Sequence, residues 1–344
     1  MEKKILLIII ALFGVFVLFK PAAAETLPTI DFESYLLGSI SGQDGWSNAV
    51  NPTYDQAVVS QATYPSFGTK SLRMSNAVTS GSFGDWVFTK PLVDEVGESG
   101  ATNAGQSGGT RQTHFEASFD FASVVPNSHQ PGLQISVSPD RGDGSRQSFV
   151  RIEDTIGGID VIFVDVQGTF NPANFVSTTV ANDLDRTVPH NLKFEIDFAD
   201  GQSNDVVKVY IDNVLVHTGT TWENYYRFDT EANAEQTTRT IDSLILQARS
   251  GAGTAPGTLG NGFLFDNVSL SSSTPPSPTP NPFAVPAECT TGTYGAPIVG
   301  TAGSDNINGT SGDDLIFAMG GSDRFDGKNG NDCDNKINSF AIVM

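Results

Sequence analysis

THFEASFDF, Thr113 to Phe121, alternates without a break. His114, Glu116, Ser118 and Asp120 face one way, and Phe115, Ala117, Phe119 and Phe121 the other, because successive side chains of a strand point to opposite sides. LKFEIDF repeats the pattern, with Phe194, Ile196 and Phe198 opposed to Glu195 and Asp197. DVVKVYID and NVLVHTG follow, separated by Asp212 and Asn213, and read as a β-hairpin. FLFDNVSL closes this body of strands, and the one helix expected is a short one near ENYYRFDTEANAEQ. Many alternating strands joined by Gly, Asn and Asp turns give two antiparallel sheets packed as a sandwich.

The rest of the chain brackets this body. Residues 1–24 read as an export signal: Lys3 and Lys4, an apolar run from Ile5 to Phe19, then Lys20, Pro21 and the small triplet Ala22, Ala23, Ala24, with cleavage expected after Ala24. The apolar run is shorter than the roughly 20 residues that cross a bilayer, so no stable membrane span is expected after cleavage. At the other end, residues 271–288, SSSTPPSPTPNPFAVPAE, form a proline-rich linker between the body, residues 27–270, and a small tail. The formal charge of -20 becomes more negative once the lysine-rich signal is removed. Such an acid surplus repels nucleic acid and anionic lipid and favours cations. Two cysteines, Cys289 and Cys333, bracket the repeats of the tail and are candidates for one disulfide in an oxidising compartment.

Those repeats run from Gly300 to Asn335 in units of nine: GTAGSDNIN, GTSGDDLIF, AMGGSDRFD and GKNGNDCDN. Glycine holds the fourth place (Gly303, Gly312, Gly321, Gly330) and aspartate the sixth (Asp305, Asp314, Asp323, Asp332). Glycine allows tight turns and close backbone approach. Aspartate and turn carbonyls are hard oxygen ligands, which favour Ca²⁺ over zinc or copper. Ile307, Ile316 and Phe325, at the eighth place, supply inward apolar contacts, and Asp334 interrupts that series. Seven acids face only Arg324 and Lys328 in this segment, so a cation is needed to offset their repulsion on stacking.

Two resemblances follow from these residues. The tail resembles the RTX, or haemolysin-type, calcium-binding repeat. That likeness implies a short parallel β-roll over residues 289–335 in which repeat n stacks on repeat n+2. Asp305 would then share an ion with Asp323, and Asp314 with Asp332, two ions at most, with residues 336–344 as a plain C-terminal tail. IDFESYLLGSISGQDGW, PHNLKFEIDFADGQSNDVVKVYIDNVLVHTG and GFLFDNVSL look like the concanavalin A-like jelly-roll domains of exported proteins, which include lectins, carbohydrate-binding modules, hydrolases and lyases. The expected fold is thus all-β, an antiparallel jelly-roll sandwich followed by a calcium-binding β-roll.

Further candidates sit in the body. Glu195, Asp197 and Asp200 resemble the E-x-D-x-x-E strand of laminarinase-like hydrolases, although DGQSND reads as a turn that lifts Asp200 off the sheet. His114 and Arg151 lie on strands and would suit a lyase, but no spacing singles them out. Trp46, Trp86, Trp222, Tyr225 and Tyr226 are aromatics that pack in cores or stack on sugars. Glu33 and Asp266 resemble the paired carboxylates that hold a structural calcium in carbohydrate-binding jelly rolls. Arg141-Gly142-Asp143 lies in a turn-rich stretch and reads as local structure. The leading expectation is a secreted or cell-surface, non-enzymatic protein with calcium and a polysaccharide or surface glycan as partners. A glycan-active hydrolase or lyase is the second reading, and a structural surface or matrix component the third.

Overall fold

The computed structural model describes residues 24–48, 54–80, 85–102, 109–231, 237–248, 253–274, 298–299, 304–317, 324–329, 333–335 and 342–343. The chain divides into two units, Met1–Thr274 and Pro275–Met344. In the first unit the strands begin with β1 (Glu25–Thr26), β2 (Ser47–Asn48), β3 (Gln56–Ser60), β4 (Lys70–Met74) and β5 (Trp86–Phe88). They continue with β6 (Glu95–Val96), β7 (Arg111–Gln112), β8 (His114–Ser123), β9 (Gln134–Asp140), β10 (Phe149–Asp154) and β11 (Ile159–Gln167). The last are β12 (Asn174–Leu184), β13 (His190–Asp197), β14 (Val206–Ile211), β15 (Val214–Gly219), β16 (Ser243–Ala248) and β17 (Phe263–Ser273), with helix α1 (Glu223–Phe228) between β15 and β16.

They form two antiparallel sheets facing each other across one core, a jelly-roll sandwich. One is eight-stranded in the order β15-β14-β13-β8-β17-β4-β3, with β1 added on β17; the other is seven-stranded in the order β12-β11-β10-β9-β16-β5-β2. Strand β8 buries every second residue, as its alternation requires. Register against β13 sets Ala117 opposite Phe194 and Phe119 opposite Leu192, so two strands present one apolar face. Phe119 also meets Phe265 of β17 at 5.8 Å between ring centres. From the other sheet Ile135, Val137, Val150, Ile152, Val161 and Phe163 complete the core. The β14–β15 hairpin turns at Asp212 (φ 50°) and Asn213 (φ 65°), the two positive φ values that a two-residue loop of matching twist needs.

Among the described residues the expected helix forms over Glu223–Phe228. Trp222 before it and Tyr226 on it pack on Phe149, Ile162, Val164 and Val166, on the face of the seven-stranded sheet turned away from the core. That cover explains why β11 is buried over almost its whole length rather than alternately. The body also runs further than residue 270. Strand β17 continues through Ser273, which pairs with His114, and the Thr274 hydroxyl donates to Gln112 Oε1 at 2.8 Å. The ladder continues because β8 offers partners to that point and the prolines that would end it begin only at Pro275.

In the second unit the ladders are parallel. Strands β18 (Ile298–Val299), β20 (Leu315–Phe317) and β22 (Cys333–Asn335) make one, and β19 (Asn306–Asn308), β21 (Arg324–Asp326) and β23 (Ile342–Val343) the other. Ile307 pairs with Phe325, and Ile316 with Asp334, so each nonapeptide stacks on the next but one. The structure departs from the expected extent of the roll. Ile298 pairs with Ile316 ahead of the first unit, and Val343 pairs with Phe325 within what was expected to be a plain tail. Both positions keep the nine-residue spacing of the apolar place after the glycines and aspartates have gone. Residues 1–23 of the expected export signal (1–24), residues 275–288 of the expected linker (271–288) and Cys289 lie outside the described residues, and of Cys333 only the backbone is described. Among the described residues no helix is long and apolar enough to cross a membrane.

Candidate calcium centres and polar sheet faces

Strands β19, β20, β21 and β22 take three residues from each nonapeptide. Two backbone bonds tie neighbouring coils at this level: Arg324 N–H donates to the Asp305 carbonyl at 2.8 Å, and Gly309 N–H to the Asp326 carbonyl at 2.7 Å. Ile307 and Ile316 are buried against each other with Ile298 beside them. The Asp314 side chain is buried at 4% exposure. Its Oδ2 accepts the Thr310 N–H at 2.5 Å, and its Oδ1 the Thr310 hydroxyl at 2.9 Å.

Gly309 shows how close the stacking is. A Cβ there would stand 2.6 Å from the Gly327 carbonyl oxygen and 2.7 Å from Asp314 Oδ2. Glycine thus keeps a backbone oxygen and a carboxylate oxygen within reach of one small volume between coils. Oxygen donors alone, in a segment rich in acid, fit a hard divalent cation. Of the residues expected to hold such ions, Asp305 and Asp314 are described, Asp305 before β19 on one ladder and Asp314 before β20 on the other. Gly312 lies in the same turn as Thr310 and donates its N–H to Thr310 Oγ1 at 3.2 Å. Asp323, Asp332, Gly303, Gly321 and Gly330 lie outside the described residues.

In the jelly roll, Glu33 and Asp266 both lean on strand β4. The N-terminal segment runs beside β17, with Ile30 bridged to Val268. Glu33 accepts the Thr69 N–H at 2.5 Å, the Thr69 hydroxyl at 2.6 Å and the Lys70 N–H at 2.9 Å. The Thr69 hydroxyl and these backbone donors hold its carboxyl below the usual range. Asp266 is fully buried, accepts the Ser71 hydroxyl at 2.6 Å and has its pKa pushed up to about 7 by burial, with Asp31 and Asp120 adding to the push.

Glu195 and Asp197 share the solvent face of β13, where they are already engaged. Glu195 takes Lys193 Nζ at 2.5 Å and the Tyr210 hydroxyl at 2.7 Å, and Asp197 takes His114 Nδ1 at 2.7 Å. Partial burial works against ionisation of Glu195, but the bonds from Lys193 and Tyr210 outweigh it and lower the pKa. A general acid needs the opposite shift. Asp200 stands off the sheet beside Gly201 (φ 119°) and accepts the N–H and hydroxyl of Ser99, each at 2.7 Å.

Among the aromatics, Trp46 belongs to the core, 1% exposed, with its Nε1 donating to Tyr35 Oη at 3.1 Å. Trp222 and Tyr226 hold α1 to the sheet, and Tyr226 donates its hydroxyl to the Arg146 carbonyl at 2.8 Å. Arg141 and Asp143 pair with each other at 2.8 Å within their own turn. Trp86 stands differently. Register across the outer face of the seven-stranded sheet puts Ile162, Arg151, Ser136, Gln247 and Trp86 in one row over five strands. Arg151 pairs with Glu153, and Arg146 donates to Gln247 Oε1 at 2.8 Å. Trp86 Nε1 and Gln147 Oε1 are buried with no hydrogen-bond partner. Sequence reasoning noticed Arg151 and Trp86 singly and missed the row. The alternation of Ser136 and Ser138 with Ile135 and Val137 is a signal that could have shown the polar face of β9, but only strand pairing aligns it with Gln247 and Trp86.

Comparison with known proteins gives one match to a family and several to solved folds. Residues 299–332 match four copies of the RTX calcium-binding nonapeptide repeat. The repeats therefore bind Ca²⁺. No curated protein matches the chain. Among solved structures, an endo-β-1,4-glucuronan lyase from the fungus Trichoderma reesei is 15% identical, with a TM-score of 0.41, over 74% of this chain and 96% of that one. An endo-1,3-β-glucanase from Streptomyces sioyaensis is 14% identical, with a TM-score of 0.40, over 74% of this chain and 99% of that one. A β-agarase A in complex with oligoagarose is 10% identical, with a TM-score of 0.35, over 69% of this chain and 82% of that one.

Proposed function

We propose that this chain is an exported calcium-binding protein whose repeats fold around Ca²⁺ and whose jelly roll holds a polysaccharide or surface glycan without cleaving it. The observation that carries the calcium half is the parallel stacking of alternate nonapeptides, Ile307 on Phe325 and Ile316 on Asp334, which brings acid-bearing turns together. Without a cation those charges oppose the stack, so metal uptake and folding are one process. Asp305 and Asp314, with Asp323 and Asp332 expected beside them, are the ligands of this reading, and a Cys289–Cys333 disulfide would brace the short stack.

For the glycan half, the support is the row from Ile162 to Trp86. Trp86 offers a ring, Arg151 and Gln247 offer donors, and unpartnered polar atoms beside them suit a hydroxyl-rich ligand. The engaged state of Glu195, Asp197 and Asp200 favours binding over hydrolysis on the opposite sheet. Calorimetry of the signal-free protein tests the first half: uptake of Ca²⁺ with a gain in β-structure by circular dichroism is expected, and equal spectra in EDTA and millimolar calcium would sink it. A glycan array tests the second. Retention lost in Trp86→Ala and Arg151→Ala, with no reducing or unsaturated ends released, supports a binding face. Release of such ends, abolished in Arg151→Ala, would instead make the same row a lyase site.

A further inference from the structure

Three carboxylates meet in the jelly roll at a place that no motif marks. Glu98 follows strand β6, Asp205 precedes β14 and Glu223 opens α1, and they are 5%, 2% and 1% exposed. One oxygen from each lies within 4.8 Å of the other two. Asp205 is fixed by the Ala199 N–H at 2.9 Å and the Thr221 hydroxyl at 2.7 Å. Glu223 Oε1 accepts the Asn204 N–H at 2.9 Å, and Glu98 Oε2 accepts the Gly201 N–H at 3.1 Å. Three separate segments thus aim their acids at one point.

Positive charge falls short there. Arg227 pairs with Glu98 and, at 3.3 Å, with Glu223. Arg111 gives a hydrogen bond to the Glu98 carbonyl and lies 3.9 Å from Glu95. With all three acids ionised, one guanidinium leaves an excess of two negative charges. The remaining Glu98 oxygen, Oε1, is buried with no hydrogen-bond partner. On the same turn of α1, Asn224 donates to Ser203 Oγ at 2.8 Å, and its own Oδ1 is also buried without a partner. An unpaired carboxylate oxygen out of water is costly, and a bound cation relieves it.

We propose that Glu98, Asp205 and Glu223 hold a calcium ion, which pins the β13–β14 turn, the loop after β6 and helix α1 to one another. An all-oxygen donor set in irregular geometry suits Ca²⁺ better than the strict octahedron of Mg²⁺. A divalent ion matches the two uncompensated charges. Because α1 carries the aromatic contacts on the outer face of the seven-stranded sheet, the ion would also fix the border of that face.

Tryptophan separates this site from the repeats, since Trp46, Trp86 and Trp222 all belong to the jelly roll and none follows residue 274. Terbium, which replaces calcium and emits when excited through a nearby indole, is added to the intact protein. The expected result is a saturable emission, displaced by Ca²⁺, of which a component is abolished in Trp222→Phe. That component is also lost in Glu98→Gln and Glu223→Gln and unchanged in Asp314→Asn. Absence of any Trp222-dependent emission from the wild-type protein overturns the proposal, as does its survival in both glutamine variants. The wild-type and Trp222→Phe proteins decide the matter alone if a glutamine variant does not fold.

Discussion

Asp140, at the end of β9, is wholly buried, and its Oδ1 accepts the N–H groups of Gly142, Asp143 and Gly144 at 2.6, 3.1 and 3.1 Å. Burial, reinforced by the Asp143 charge, pushes its pKa up to about 6 from an ordinary value of 3.8. The folded protein then binds a proton here more readily than the unfolded chain. Its contribution to stability is therefore complete below about pH 4 and declines by roughly 3 kcal/mol as pH rises through about 6. Asp140→Asn keeps an Oδ1 acceptor and removes the titration. Urea melts are expected to show the variant gaining on wild type by about 3 kcal/mol between acid and neutral pH, and parallel curves would contradict the assignment. In the repeat, Gly309→Ala puts a methyl group against Gly327 and Asp314. We expect several-fold weaker calcium uptake by calorimetry, with the melting of the jelly roll unchanged.

At the level of elements, the hairpin turn depends on two residues in the left-handed region. Asn213 tolerates that conformation, whereas a β-branched side chain does not, so Asn213→Val should cost about 1–2 kcal/mol in a denaturant melt. Strand β23 makes a similar case in the roll. Ending the chain at Ser339 removes the partner of β21, and the calcium-induced β-signal should shrink although every Gly-Asp unit is still present. Strands with one wet face, β8 and β13, were legible in the sequence because burial follows their alternation. Strand β16 is buried on all six residues, and β11 lies under α1, so neither shows a period. The outer strands of the roll were missed because attention to glycine and aspartate hides the apolar beat that continues through Ile298 and Val343. The acidic trio was beyond sequence reasoning. Glu98, Asp205 and Glu223 come from unrelated segments, and only the folded turns bring them together.

For the whole molecule, the two units should respond to calcium separately. A ligand present at a hundredfold excess over its Kd stabilises the state it binds by about 2.7 kcal/mol. Differential scanning calorimetry should show a transition of the roll that moves with calcium. Phe119→Ala, which empties a ring site in the core between the sheets, should lower only the other transition, at a cost of about 3–5 kcal/mol.

Strand β17 is last in the body by sequence yet central in its sheet, between β8 and β4. Phe265 pairs with Leu72 on one side and Phe121 on the other. A chain that emerges from a ribosome or a translocation pore amino end first must therefore wait, its sheet parted into two incomplete halves, until residue 273 is free. Neither half is closed by its own neighbours. The seam closes only when that strand arrives, and a helper that shields the two facing edges until then would matter more to yield than to the finished molecule.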